Sequence, residues 1–198
     1  MPKENKTKYA ILGVLSRAPM SGYDIKKLTD RSISHFWNEN FGHIYPVLKR
    51  MEDERLISRD VHQTPGRPDR SVYSLTAEGK AALDAWLTRE PEDPPNRIEL
   101  LLQLFFSSAL PLSDIIVKVQ NERRLSEERL AVFGAIDQHI REYHSDRGPG
   151  DAPFWLITLN FGIHRARAVI AWCDETIEKL REMEARSAST SQSNDESS

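Results

Sequence analysis

The residues best suited to do chemistry lie close together, in Asn40-Phe41-Gly42-His43-Ile44-Tyr45-Pro46-Val47-Leu48-Lys49-Arg50-Met51. Ile44, Val47, Leu48 and Met51 recur at the spacing of one side of a 3.6-residue helix, which predicts a buried face. The other side carries His43, Tyr45, Pro46, Lys49 and Arg50, with no acid before Glu52. A solvated helix face usually mixes long charged residues of both signs; this one is aromatic, proline and basic. A small, aromatic first turn with cations one turn on suits entry into the DNA major groove, with Lys49 and Arg50 at the phosphates. Asn40 and Gly42 stand at its entrance, where Gly42 leaves room for a close approach by another backbone. The same residues also fit an ordinary surface helix, so the flanking chain has to discriminate.

Such a helix must be held by its neighbours. Residues 7–17 read as a helix with Tyr9, Ile11, Leu12 and Leu15 inward, ended by Arg17-Ala18-Pro19. Ser21-Gly22-Tyr23-Asp24 opens a second helix, in which Ser21 caps and Asp24 is its capping-box partner. Ile25, Leu28, Ile33 and Phe36 form its apolar face, and the free N–H groups at its start make a ready phosphate site. In the third helix an interior proline would lose a hydrogen bond and clash with the carbonyl four residues back. Either Pro46 lies in the first turn, or the helix begins at Asn40 with a distorted opening turn. Two extended runs, 57–62 and 71–75, flank the Pro- and Gly-containing Thr64-Pro65-Gly66-Arg67-Pro68-Asp69-Arg70 and predict a hairpin. Its tip carries Arg67 and Arg70. Thr76 caps a further helix from Ala77 to about Arg89, with Leu83, Trp86 and Leu87 inward.

Three helices, a hairpin with a basic tip and another helix follow the order of a winged helix-turn-helix, whose second motif helix enters the groove. The wing arginines add backbone or minor-groove contacts. The sequence here resembles the PadR-like transcriptional regulators. The matching residues are Ala10-Ile11-Leu12, Ser21-Gly22-Tyr23-Asp24-Ile25, Gly42 through Glu52, Gly66-Arg67-Pro68 and Tyr73-Ser74-Leu75-Thr76-Ala77-Glu78-Gly79. They cover residues 9–87. The resemblance implies a dimeric, ligand-responsive repressor. It implies that Tyr45, Pro46 and Lys49 face the operator, that Ser21 and Tyr23 anchor on phosphate, and that Arg67 reaches from the wing. It also implies a response to small aromatic compounds.

Pro91-Glu92-Asp93-Pro94-Pro95-Asn96 has three prolines and no apolar residue, which makes 91–96 a linker between a DNA-binding domain, 1–90, and a helical domain, 97–184. In the latter, Ile98, Leu101, Leu102, Phe105 and Phe106 mark a strongly apolar helix ended by Pro111. Residues 112–144 form one long helix or two, because the apolar pattern thins near Arg123 and Ser126. The last helix, about Ala152 to Glu184, has an unbroken heptad seam: Leu156, Leu159, Ile163, Ala166, Ile170, Cys173, Ile177 and Leu180. A partner chain is the expected cover of that seam, giving a homodimer; packing on 112–144 is the alternative. Around the same helix Trp155, Phe161, His164, Arg165 and Trp172 could wall a site for a planar or anionic effector. Residues 185–198, rich in Ser, Asn and acids, read as a disordered tail. The expected fold is therefore mainly α with a small β-hairpin wing, an N-terminal winged helix-turn-helix followed by an all-helical dimerisation domain.

Composition sets the limits. At 198 residues the chain is 39% hydrophobic and 29% charged, with a net charge of −3. Residues 1–90 hold fifteen Lys and Arg against twelve Asp and Glu, and residues 91–198 hold twelve against eighteen. A mildly basic first half joined to an acidic second half suits a DNA-contacting domain with a differently employed neighbour. The single cysteine, Cys173, allows no intrachain disulfide and fits a reducing compartment. No apolar run reaches the roughly 18 residues of a membrane span, and no signal-peptide core follows the N-terminus, so a cytoplasmic location is expected. The six histidines make no metal-binding spacing, and neither a phosphate loop nor a nucleophile–base set occurs. No metal, no cofactor and no enzymatic activity are expected. The expected partners are double-stranded DNA with an inverted-repeat operator, a second copy of the chain and a small aromatic effector. The rival reading is a winged-helix protein-interaction module without DNA binding.

Overall fold

The computed structural model describes residues 6–34, 36–37, 44–62, 70–92, 97–144 and 150–195. Two compact units divide the chain, Met1–Pro94 and Pro95–Ser198. The first contains α1 (Thr7–Leu15), β1 (Met20–Ser21), α2 (Gly22–Ser32), α3 (Ile44–Asp53), β2 (Ile57–His62), β3 (Arg70–Leu75) and α4 (Ala77–Leu87). The second contains α5 (Glu99–Phe105), a 3-10 turn at Ser107–Ala109, α6 (Leu112–His144) and α7 (Ala152–Asp195). The protein is thus mainly helical with one small antiparallel sheet, in winged-helix order.

The ends of the N-terminal helices follow from their residues. Ser21 has an extended backbone and its Oγ accepts from the Asp24 amide at 3.2 Å, so α2 starts where the serine supplies the first acceptor. Helix α3 starts at Ile44, which puts Pro46 in its first turn, where the missing N–H costs nothing. It ends with Arg55 in the left-handed region, φ 58°, and with paired bonds from Leu56 N to Met51 O and from Arg55 N to Glu52 O. That is a Schellman ending, with Leu56 folding back toward the core beside Met51. Thr76 Oγ1 accepts from Gly79 N at 2.9 Å and starts α4. Gly79 is required there: a Cβ would stand 2.0 Å from the carbonyl oxygen of Leu56.

The sheet runs β1-β3-β2, with Tyr73 opposite Met20 on one side and Arg59 on the other. The two-residue β1 is too short to leave a pattern in the sequence, and only its pairing reveals it. The core of this unit joins Ile11, Leu12, Ile25, Ile44, Leu48 and Met51, all nearly free of solvent, with Ile57, Tyr73 and Leu83 around them. Two expected inward residues are exposed instead, Phe36 and Leu87. Their neighbours take the inward places: Trp37 packs on the core, and Trp86 stacks on Tyr9 at 4.7 Å between ring centres.

In the second unit, residues 112–144 form a single helix of 33 residues. Helix α7 lies antiparallel to it: Phe133 meets Gly162, Arg123 bonds Asp174, and Val119 clusters with Cys173 and Ile177. The thinning of the α6 pattern is thereby explained. Ser126 is buried as a small residue, and Arg123 reaches across to Asp174 at 2.6 Å.

The heptad seam needs a correction. Leu159, Ala166, Cys173 and Ile177 are already buried within one chain, and Leu156, Ile163, Ile170 and Leu180 are half-buried. The cover is α6, which at ~1.5 Å per residue is long enough to span the whole seam. A second correction concerns the tail, because α7 continues to Asp195. No glycine or proline interrupts 163–195, and Glu182 and Arg186 form an ion pair one turn apart.

Candidate nucleic-acid interface

Three elements of the first unit meet at the start of α2. The buried Ile44, Leu48 and Met51 hold α3 down, so its opposite side faces out: Tyr45, Pro46, Lys49 and Arg50 are all exposed. Tyr45 is 59% exposed, yet its ring is seated. Its Cε1 stands 2.9 Å from where a Cβ at Gly22 would be, so only glycine lets the ring lie against the first residue of α2. Tyr23, the next residue, is exposed. Among the described residues Lys49 and Arg50 make no ion pair, which leaves both cations available. A face with two aromatic rings and two unpaired cations, on a helix braced from behind, can stack on or bond to base edges and neutralise phosphates.

The third element is β3. Arg70, its first residue, donates from Nη2 to Asp24 Oδ2 at 2.6 Å, and the Ser21 hydroxyl donates to the same oxygen at 2.6 Å. These two partners, Ser21 first, hold the Asp24 carboxyl below its ordinary range against a smaller opposing push from desolvation. Ser21 itself is buried, so its hydroxyl is occupied as a cap, and Tyr23 is the exposed member of that pair. Arg70 is exposed but already partnered, which sequence spacing could not foretell across a separation of 46 positions. Asn40, Gly42, His43 and Arg67 lie outside the described residues.

The residues expected to form an effector site do not converge within one chain. Trp155 and Trp172 are 17 positions apart on the same helix, a separation of about 26 Å. Phe161, His164 and Arg165 are exposed, whereas Trp172 packs on the α6–α7 core. The second unit instead has an open groove of about 320 Å³ with charged walls, among them Arg123, Arg124, Glu127, Asp174 and Arg181. Burial pushes the Cys173 thiol above its ordinary range, and the side chain behaves as a small packed hydrophobe. Among the described residues no cluster of His, Cys, Asp or Glu could hold a metal ion, and no helix is long and apolar enough to cross a membrane.

Two family descriptions match the chain, the transcriptional regulator PadR-like family over residues 11–85 and the virulence activator alpha C-terminal region over residues 96–181. The first unit thus matches the PadR-like family over most of its length. The negative transcriptional regulator PadR of Bacillus subtilis is 36% identical over 104 residues, 52% of this chain and 57% of that protein. That match spans little more than half the length of the Bacillus protein. A probable transcriptional regulator of Mycobacterium tuberculosis is 28% identical over 187 residues, 88% of this chain and 97% of that one. In structure, Bacillus subtilis PadR in complex with operator DNA superposes with a TM-score of 0.78 at 24% identity, over 89% of this chain and 99% of that chain. The same PadR in complex with p-coumaric acid gives 0.70 at 24% identity, over the same shares. At that identity the likeness is one of fold. PadR-like proteins are regulators of transcription and not enzymes.

Proposed function

We propose that the protein is a homodimeric, cytoplasmic, sequence-specific repressor that binds double-stranded DNA and is released by a small aromatic effector. One observation carries this reading: α3 presents Tyr45, Lys49 and Arg50 outward, with no ion pair to Lys49 or Arg50 among the described residues, while Ile44, Leu48 and Met51 fix it from behind. Tyr45 and Pro46 read base edges; Lys49 and Arg50 neutralise phosphate; Tyr23 holds the backbone beside the Ser21 cap. Asn40, Gly42, His43, Arg67 and Arg70 complete the contact set on the strength of the sequence. The regulator of Bacillus subtilis is a negative one and has been solved with operator DNA and with p-coumaric acid, which supports repression and an aromatic effector here. A symmetric dimer puts two such helices in successive major grooves, so the operator is an inverted repeat with half-sites ~10 bp apart or a multiple of it. Repression is steric, by occupation of a promoter.

With the seam covered by α6, the dimer uses other apolar surface. Phe105, the last residue of α5, and Phe106 beside it pack edge to face at 5.0 Å and are 81% and 72% exposed. On α7, Phe154, Ile157 and Phe161 form an exposed stripe opposite the seam. An effector bound near Phe161 or Arg165 therefore contacts residues of a second chain as well, since Phe161, His164 and Arg165 lie exposed on one chain. Its binding favours a dimer whose two α3 helices are wrongly spaced for the operator.

The test is a footprint on the DNA upstream of the protein's own gene, with and without p-coumaric acid, repeated for Lys49→Ala. Protection in two half-sites is expected, and Lys49→Ala should weaken binding to all DNA and lower the salt slope by ~1. An unprotected promoter, with no affinity for any duplex at low salt, would leave the protein-interaction reading in its place. An unchanged salt slope for Lys49→Ala would show that α3 is turned otherwise.

A further inference from the structure

Within a face offered to a polyanion, one acid is out of place. Asp24 stands next to Tyr23 and two residues beyond the glycine on which Tyr45 rests, and its side chain is 38% exposed. Its oxygen Oδ2 receives both the Ser21 hydroxyl and the Arg70 guanidinium, each at 2.6 Å. Arg70 is 64% exposed and has further N–H groups that a phosphate could reach, but among the described residues it is paired with this carboxylate. The carboxylate also has a second job, since the Ser21–Asp24 pair is the capping box of α2 and cannot swing away without loosening the helix start. Asp24 is thus a fixed anion, and Arg70 is the mobile member of the pair.

We propose that Asp24 is a specificity-determining residue, an internal competitor that withholds Arg70 from loosely bound DNA and releases it only to a phosphate brought into direct contact. The proposal rests on the DNA-binding reading above. In a loose, water-separated complex a phosphate offers Arg70 less than the direct Asp24 contact does, and Arg70 stays home. In a seated complex a phosphate arrives at hydrogen-bond distance and the exchange is close to even, because an exposed ion pair is a weak one. The bare carboxylate left behind then repels the adjacent backbone. Arg70 therefore adds little to indiscriminate binding, although it lies on the binding face. Salt bridges that stabilise folding need no place here; an ion pair only strong enough to be exchanged is what discrimination requires.

The experiment uses the full chain and two fluorescent 30-bp duplexes, one of random sequence and one from the promoter upstream of its gene, titrated across a salt series. Asp24→Asn keeps an acceptor for the Ser21 hydroxyl and removes the charge. It should tighten binding to the random duplex about two- to fivefold, the size of one exposed pair, and raise the salt slope by ~1 as Arg70 takes a phosphate. The promoter duplex should gain less, so the ratio between the two should fall. Asp24→Glu, which retains both charge and capping box, should restore the wild-type ratio. In an Arg70→Ala background the neutral substitution should leave the slope unchanged. If Asp24→Asn impairs folding, Asp24→Gln, the neutral capping-box residue, makes the same comparison. An unchanged random-duplex affinity and slope in the neutral variant, or an equal slope increase without Arg70, overturns the proposal while leaving DNA binding intact. A wild-type chain that binds neither duplex overturns the DNA-binding reading itself.

Discussion

The two units solve the problem of burying apolar surface differently. In the first, α1, α2, α3, α4 and the sheet close around twelve buried apolar residues, and the large apolar side chains left outside include Tyr23 and Tyr45 on the candidate DNA face. In the second, the described residues give a buried cluster of Ile116, Val119, Cys173 and Ile177, with Phe133, Leu159 and Ala166 buried farther along the α6–α7 seam, while Leu102, Phe105, Phe106, Phe154, Ile157 and Phe161 stay exposed. A closed core tolerates life as a separate module; two long helices with a single seam leave their outer faces uncovered. At about 25 cal/mol per Å² of apolar area, such surface is a strong drive to association. The comparison teaches that an unbroken heptad does not by itself identify an intermolecular interface. What identifies it is the apolar surface left over after the seam has been filled.

The comparison breaks most sharply if the smaller core is destroyed. Val119 is fully buried among Ile116, Cys173 and Ile177. Val119→Asp would bury an unpaired carboxylate there at a cost of roughly 4 kcal/mol or more. The second unit should unfold and the first should keep its own thermal transition. Calorimetry of the full chain should then show one transition fewer; loss of both would mean that the first core is not self-sufficient. In the closed unit the corresponding test is Gly79→Ala. A methyl group at 2.0 Å from the Leu56 carbonyl oxygen forces α4 off its seat, an overpacking cost of about 3 kcal/mol. The first transition should fall and the second should not move.

The exposed surface gives the next largest effect. Phe105→Ser with Phe161→Ser removes two rings that contribute little to burial within one chain, both being more than 60% exposed. Monomer folding should be unchanged by circular dichroism. Self-association measured by sedimentation should weaken by about 3 kcal/mol, since each ring counts twice in a symmetric interface. An undiminished dimer would return the interface to other surfaces.

Much of this was legible in the sequence, for physical reasons. Capping residues announce themselves locally, so Ser21 and Thr76 mark the true starts of α2 and α4. The period of Ile44, Val47, Leu48 and Met51 separates the buried side of α3 from the exposed one. What stayed hidden was nonlocal. Nothing near Arg70 indicates Asp24, and nothing near Met20 indicates the β3 edge it joins. The seam was visible as a seam but not its partner, because heptad spacing is identical whether the covering helix belongs to the same chain or another. The candidate effector residues do not meet within one chain for a related reason: chain proximity on a long helix is distance in space.

The smallest effect sharpens the contrast at a single backbone angle. Arg55 holds φ 58° at the end of α3, a position where glycine is usual. Its amide bonds Glu52 O and its carbonyl accepts from Thr76 Oγ1 at 2.8 Å, so its backbone ties α3 to the start of α4. Those bonds survive any side-chain change. Arg55→Gly removes the Cβ strain of the left-handed region, worth ~1 kcal/mol, and adds unfolded-state freedom that offsets ~0.5 kcal/mol or more of it. The first transition should rise by a few degrees at most, with the second transition and the DNA salt slope unchanged. A fall of several degrees would mean that the Arg55 side chain, and not its backbone, holds the turn.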